Sequence, residues 1–265
     1  MPHVSIAAIG IVASFTLALA QITKPPEFQS STKVQTGAAA ATVDGTSHVA
    51  VEQARIDEEL VSRLRKLPGH GEGIRLIEAK LLPVATEHFL KNNQPIGAAV
   101  TKYLSGMAEA SGKDLVSISR RSPKDLALLP FLGETIGTVP ELAEAMLGAV
   151  RGIAQAHPES AEAQYYLARS LSKQSTQPRD EMARLLRRAA DLDPKDTRAL
   201  LELARQYTEQ EKQREAISTL LELLQRDPNA ATAHYRLAGL YRAAGQMEKS
   251  REHMRDFQRL QPLKQ

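Results

Sequence analysis

Apolar residues recur at helical spacing through the C-terminal half of the chain, and prolines interrupt the pattern at regular intervals. Because proline lacks an N–H and its ring clashes with the preceding turn, it costs about 3 kcal/mol inside a helix and marks a helix end. No segment shows the strict alternation of apolar and polar residues that is typical of a half-buried strand. The pattern predicts a chain of short helices that reverses at each proline. The prolines stand 34 to 36 residues apart, at Pro123, Pro158, Pro194, Pro228 and Pro262.

Alignment of the segments on these prolines brings residues of one type to the same position. A leucine stands nine residues after each of the first four prolines: Leu132, Leu167, Leu203 and Leu237. A small residue follows at once: Gly133, Ala168, Ala204 and Ala238. The small residues allow two helices to approach closely, since a larger side chain would overpack the contact at about 1–3 kcal/mol.

Two units match each other closely, TRALLELARQYTEQEKQREAISTLLELLQRDP and ATAHYRLAGLYRAAGQMEKSREHMRDFQRLQP. Helix–turn–helix units of this length, with these small residues, a tyrosine and a closing Asp-Pro, resemble tetratricopeptide (TPR) repeats. The resemblance is close over 161–264, looser over 126–160 and weak over 74–125. It implies an all-α fold, a TPR-like helix-turn-helix solenoid with three clear C-terminal repeats and one or two degenerate ones. This solenoid is expected to follow a signal peptide and a disordered tether.

The same pattern divides the chain into segments. The segments before the regular repeats are a signal peptide (1–20), a disordered linker (21–48), a short helix and loop (49–73), a degenerate helical repeat region (74–125) and a divergent repeat (126–160). The regular repeats are 161–196, 197–230 and 231–265, the last with the polar outer face of a capping repeat. In the region 74–125 the closing proline comes too late for the repeat, so residues 110–122 are predicted to be an insert.

The N-terminal segment has the features of an export signal. Val4 to Ala20 is almost wholly apolar and ends in Ala18-Leu19-Ala20, the small-x-small pattern that signal peptidase cleaves. Cleavage before Gln21 would make the protein periplasmic or secreted. The alternative is an uncleaved N-terminal anchor, which would make the membrane a partner, although the apolar run is short against a hydrocarbon core of about 30 Å.

The composition and the motifs of the chain exclude several classes of functional site. The chain has no cysteine, which excludes disulfides, thiolate metal sites and cysteine nucleophiles. Its net charge of +3 is spread over interspersed charges, whereas nucleic-acid binders usually carry a clustered basic face. No phosphate loop, His-Glu-x-x-His or Gly-x-Ser-x-Gly motif is present. The sequence therefore predicts a protein that is not an enzyme and that has no cofactor, no metal and no nucleic-acid partner.

The TPR resemblance also implies where a partner would bind. In TPR arrays the first helix of each unit supplies a concave groove, and the matching positions here are basic and aromatic. Arginine binds carboxylates through two hydrogen bonds and tyrosine offers rigid contact area, so a protein or peptide partner with acidic groups is expected. Packing between repeats, or an ordinary solvated helix face, is the other interpretation. The predicted groove residues are Tyr165, Arg169, Lys173, Arg198, Leu201, Arg205, Tyr235, Arg236 and Arg242.

These observations favour a non-enzymatic protein–protein interaction scaffold that binds a peptide segment in the concave TPR groove outside the cytoplasm. The alternative is a self-associating protein, or a component of an envelope complex, that uses the region 74–160 as its interface. A homo-oligomer is expected from the alternative and a monomer from the scaffold.

Overall fold

The computed structural model describes residues 45–261, apart from Ser175 and Gln177. The predicted signal peptide and nearly all of the predicted linker lie outside these residues. The described chain contains no strand, which confirms the all-α prediction, and none of its helices is both long and apolar enough to cross a membrane. The α-helices are α1 Gly45–Leu64, α2 Gly71–Glu78, α3 Leu82–Lys91, α4 Pro95–Leu104, α5 Ala108–Arg121, α6 Leu129–Thr135, α7 Ala143–Ala156, α8 Ala161–Leu171, α9 Arg179–Leu192, α10 Arg198–Glu209, α11 Gln213–Arg226, α12 Ala231–Ala243 and α13 Met247–Leu260.

From α2 onward the helices form six consecutive pairs, each joined by a short connection. The first helix of a pair is called helix A here and the second helix B, so that α2, α4, α6, α8, α10 and α12 are the A helices. Each pair also packs on the next, as α9 does on α10 and α11 on α12. One apolar core therefore runs through the pairs, and it extends into α1 through Ile56, Leu60 and Leu64.

The two Asp-Pro stops have the same backbone geometry. The aspartates that follow α9 and α11, Asp193 and Asp227, are extended, with φ of −130° and −134° and ψ of 90° and 91°. The ring of a following proline drives a residue out of the helical region in this way. Each carboxylate then accepts a hydrogen bond from a backbone N–H two residues on, that of Lys195 at 3.1 Å and of Asn229 at 3.0 Å. The dipeptide therefore ends helix B and stabilises the turn into the next helix A.

Small residues occur where rings pack against helix backbones. A Cβ on Gly133 of α6 would lie 2.6 Å from Cδ1 of the fully buried Tyr166 ring on α8. The ring of Phe89 is held in the same way between α2 and α4, where a Cβ on Gly73 or Gly97 would approach it to 2.2 and 2.4 Å. Such distances are too short for any side chain, so these contacts require glycine.

Helix α5 accounts for the residues predicted as an insert. Residues 110–122 fall almost entirely within α5, which packs on α4 as the helix B of a pair. Its partner α4 has only 10 residues and begins at Pro95, whereas α8, α10 and α12 have 11 to 13. Residues 110–122 therefore belong to the helix B of this pair, and Pro123 follows the end of α5 as the later prolines follow theirs.

Helix α6 is a short A helix that is buried along its whole length. Its seven residues follow a 3₁₀ turn at Leu126–Leu128, and Pro130 stands in its first turn, where the missing N–H has no helical partner to lose. All seven residues are buried, including the acidic Glu134. A carboxylate in such a place requires charged partners.

The turns between helix A and helix B allow a test of the repeat register through their backbone conformation. Glu211 and Gly245 occupy the same point of successive repeats and both have positive φ, 59° and 72°. A side chain strains the left-handed backbone there by about 1 kcal/mol. Glu211→Gly is expected to raise the free energy of unfolding by about 0.5 kcal/mol, and Gly245→Ala to lower it by about 1 kcal/mol, in urea denaturation. Destabilisation by Glu211→Gly would contradict the assignment of strain to this turn.

Candidate functional site

An open groove lies along the A helices α8, α10 and α12, with α1 on one side of it. Its volume is about 680 Å³, within the range of roughly 300–1,000 Å³ that is typical of ligand clefts. Six basic and two acidic side chains take part in its lining, so the groove is basic before pairing is considered. The lining residues are Arg55, Tyr165, Arg169, Ser172, Lys173, Arg198, Leu201, Glu202, Arg205, Glu209 and Arg236.

Most of the residues predicted from the TPR register lie together in this groove. Tyr235 and Arg242 are the two that do not line it. The Tyr235 side chain packs on Phe257 of α13, with ring centres 5.1 Å apart, and is 55% exposed. Arg242 is exposed near the end of α12. The seven that do line the groove are Tyr165, Arg169, Lys173, Arg198, Leu201, Arg205 and Arg236.

Helix α1 packs on the A helices and covers part of the surface that the register assigns to a partner. It contacts α4 and α6, and three of its residues are buried there, namely Ile56, Leu60 and Leu64. Polar contacts reach α4 and α8 as well, since Gln53 donates to the Tyr103 hydroxyl at 3.2 Å and Arg63 pairs with Glu162 at 2.9 Å. The sequence predicted a short helix here but gave no indication of where it would pack.

Glu134 of α6 joins α1 to α8. Its side chain is 3% exposed, and its Oε2 accepts hydrogen bonds from Arg169 at 2.7 Å and from Arg55 at 3.3 Å. Two guanidinium groups thus compensate one buried carboxylate, which would otherwise be costly to desolvate. Arg169 is therefore engaged inside the protein, and its predicted role as a ligand-binding arginine has an internal alternative.

The pairing of Glu134 could have been found from the sequence. Glu134 stands eleven residues after Pro123, as Arg169 does after Pro158 and Arg205 after Pro194. Equivalent positions of adjacent A helices are neighbours in a stack of repeats. The register was extended only to the three C-terminal units, and for that reason the acidic residue in the fourth was missed.

Tyr165 is a covered aromatic rather than an open platform. It is 7% exposed, its ring lies 4.9 Å below the Arg198 guanidinium carbon, and its hydroxyl accepts a hydrogen bond from Arg169 at 3.2 Å. Arg198 in turn binds both carboxylate oxygens of Asp196, with distances of 2.6 to 3.0 Å. This pairing raises the pKa of Arg198 and lowers that of Asp196, whose burial acts in the opposite direction but is outweighed.

Arg205 lies between two carboxylates of its own helix. Its Nε donates to Glu202 at 3.0 Å, and a second bond reaches Glu209. Burial raises the pKa of Glu202, but the hydrogen bonds and charge of Arg205, with the charges of Arg169 and Arg236, outweigh it and hold the pKa below its ordinary value. Arg236 donates to the Leu201 carbonyl at 3.1 Å, and its burial lowers its own pKa.

Most charges of the groove are therefore paired with charges of the protein itself, Arg236 is bound to a carbonyl, and Lys173 is open to a partner. Among the described residues no hydrogen bond or ion pair engages the Lys173 ammonium, and Lys173 is exposed at the end of α8. Glu209 is the most exposed of the acidic partners, with 52% of its side chain accessible. A carboxylate entering the groove would meet Lys173 directly and could replace Glu209 beside Arg205.

The ion pairs of the buried Glu134 lead to a quantitative prediction about stability. Glu134→Gln leaves Arg169 with no carboxylate in a largely buried place, and we expect the free energy of unfolding to fall by about 3 kcal/mol in urea denaturation. The matched control is Glu209→Gln, which removes an exposed partner of Arg205 and is expected to cost less than about 0.5 kcal/mol. Equal losses for the two variants would contradict the role assigned to Glu134.

Comparison with known proteins agrees with the helix pairs. A tetratricopeptide repeat family model matches residues 176–257. Two crystal structures of MamA are similar, both at 17% identity and over 61% of this chain. The first has a TM-score of 0.51 and 93% of its chain covered, the second a TM-score of 0.50 and 87%. No curated protein sequence matches the chain.

At this identity the MamA structures support the fold alone, and the family match and the register of the repeats support the family. The described residues form a TPR-like helical solenoid, and residues 176–257 match the tetratricopeptide repeat family.

Proposed function

We propose that this protein is a non-enzymatic interaction scaffold, and that the groove along α8, α10 and α12 binds a segment of another protein. The observation that carries the proposal is the packing of α1, because one helix already lies on the A helices beside the open groove. Stacked helical repeats present extended surfaces of this kind for binding.

The packing of α1 shows how the surface of the A helices can bind a helix. Ile56, Leu60 and Leu64 stand at intervals of four residues and bury one apolar stripe, each side chain contributing about 1.5–3 kcal/mol. Beside the stripe, Arg63 lies 5.8 Å from the centre of the Tyr166 ring. A partner helix with an apolar stripe and flanking charges would make contacts of the same kind along α8, α10 and α12.

Helix α1 also brings an acidic group towards the groove. Burial raises the pKa of Glu59, but hydrogen bonding to Arg63 and the charges of Arg63 and Arg198 outweigh it and lower the pKa overall. The arginine at the start of α10 thus stabilises a carboxylate on a helix packed against this face. We expect an acidic partner segment that reaches further along the groove to be stabilised in the same way by the positive charges of Lys173 and Arg205.

Capture of partners tests the groove. We expect Lys173→Glu combined with Arg205→Gln to reduce by at least tenfold the recovery of specific partners from envelope and secreted fractions of the source organism, measured by quantitative mass spectrometry. The control, Arg184→Glu with Arg214→Gln, makes the same change of charge at exposed positions on the B helices α9 and α11. Circular dichroism should show equal helicity in both. Equal recovery by the two variants would refute the groove as the binding site.

We also propose that the protein acts outside the cytoplasm. The support is the apolar run from Val4 to Ala20 with its terminal Ala-Leu-Ala, which fits a cleaved export signal. Protein recovered from the periplasm or medium of the source organism should begin at Gln21 by N-terminal sequencing. Recovery only in the cytoplasm with Met1 intact would contradict export, and recovery in the membrane with Met1 intact would support the anchor instead.

A further inference from the structure

Two histidines and an aspartate meet between the last two helices, at a place that the groove does not use. The Nδ1 atoms of His234 on α12 and His253 on α13 are 3.1 Å apart, and Oδ2 of Asp256 lies 3.7 Å from Nδ1 of His234. The ligand atoms of all three residues lie within 4.8 Å of one another. His234 is 7% exposed, whereas His253 and Asp256 are half-buried.

The hydrogen bonds of His234 leave a lone pair directed at this cluster. Its Nε2 lies 3.2 Å from the carbonyl oxygen of Pro228, and a carbonyl only accepts, so Nε2 carries the proton. In the neutral ring Nδ1 is then an acceptor and a potential metal ligand. A backbone carbonyl that receives the distal N–H is the arrangement that orients histidine ligands in metalloproteins.

The ring of His253 is held in a fixed orientation by its neighbour. The ring of Tyr241 stacks on His253 at 5.5 Å with an interplanar angle of 6°, which fixes the plane of the imidazole. Asp256 keeps its other oxygen, Oδ1, on Arg259 at 3.0 Å, which leaves Oδ2 facing His234.

The spacing suits a small transition-metal ion. Bonds of about 2.0–2.2 Å at tetrahedral angles place ligand atoms about 3.3–3.5 Å apart. The two distances to Nδ1 of His234, 3.1 and 3.7 Å, lie on either side of that value. Imidazole nitrogen with carboxylate oxygen is a donor set for Zn²⁺ and its neighbours rather than for Mg²⁺ or Ca²⁺.

We propose that His234, His253 and Asp256 bind a divalent transition-metal ion of the Zn²⁺ class through Nδ1, Nδ1 and Oδ2, with solvent as the fourth ligand. The ion bridges α12 and α13. Ser250 is the one buried residue of α13, so this helix has little apolar anchorage of its own and the ion would strengthen its attachment.

No sequence motif marks this site, and its three residues lie outside the groove. The two histidines are separated by 19 residues, and the pairing of α12 with α13 brings them together. The competing explanation is a simple hydrogen bond in which one imidazole N–H donates to the other ring. That pair would need no metal, and the experiment below separates the two.

Metal titration of the chelator-treated full-length protein tests the proposal. With Co²⁺ as probe we expect one equivalent to bind, with a visible d–d absorption that Zn²⁺ displaces, and with a Zn²⁺-dependent rise in melting temperature. His253→Gln and Asp256→Asn should each weaken Co²⁺ binding at least tenfold. The controls are Glu252→Gln, an exposed acid on the same helix, and His88→Gln, a half-buried histidine on α3, and both should bind as the parent does.

Two results would overturn the site. One is the absence of stoichiometric Co²⁺ or Zn²⁺ binding, which would leave the histidine pair as a hydrogen bond. The other is binding that His253→Gln and Asp256→Asn leave unchanged, or that the control variants weaken equally. His234→Gln is less suited to the test, because the residue is buried and its loss also removes the bond to Pro228.

Discussion

The buried carboxylate of Glu134 constrains the arrangement of three helices. It lies on the short helix α6, where all seven residues are buried, and it needs the positive charges of Arg55 from α1 and Arg169 from α8. An uncompensated charge in such a place costs several kcal/mol. Helix α1 therefore has a charge partner inside the solenoid in addition to its apolar stripe, and its packing on the A helices follows from both.

The ion pairs within the chain reduce what a partner would gain by binding to the basic groove. Several of the arginines expected to meet a partner already have acidic partners within the chain, including Arg169, Arg198 and Arg205. A partner would gain less from each of them than from a free arginine, because binding exchanges one ion pair for another. Such exchange favours selectivity for a correctly spaced set of charges over general attraction to acidic surfaces.

The regular part of the architecture could be predicted from the sequence because local signals agree there. Asp-Pro at Asp193 and Asp227 ends helix B by steric effects that depend only on neighbouring residues, and small residues such as Gly133 mark where helices or rings approach. The same register placed most of the groove residues on one surface. These features repeat, so each unit supports the interpretation of the next.

The remaining features depend on contacts between distant parts of the chain. The packing of α1 depends in part on Glu134, which is 79 residues from Arg55, and no local pattern predicts a contact over that separation. The pairing of α5 with α4 also lacks a local signal, and the sequence pattern alone predicts an insert over residues 110–122. His234 and His253 belong to no metal-ligand motif in the sequence and become neighbours when α12 and α13 pair.

The most direct test of this account is whether α1 packs on the A helices in solution. The chain has no cysteine, so a variant with Gln53→Cys and Tyr103→Cys carries a single pair of thiols, one on α1 and one on α4. Treatment with a short bismaleimide, followed by peptide mass spectrometry, measures how often the two positions meet within one chain. The account predicts a high yield of the intrachain cross-link in buffer and a low yield in denaturant. A yield in buffer no higher than in denaturant would contradict it.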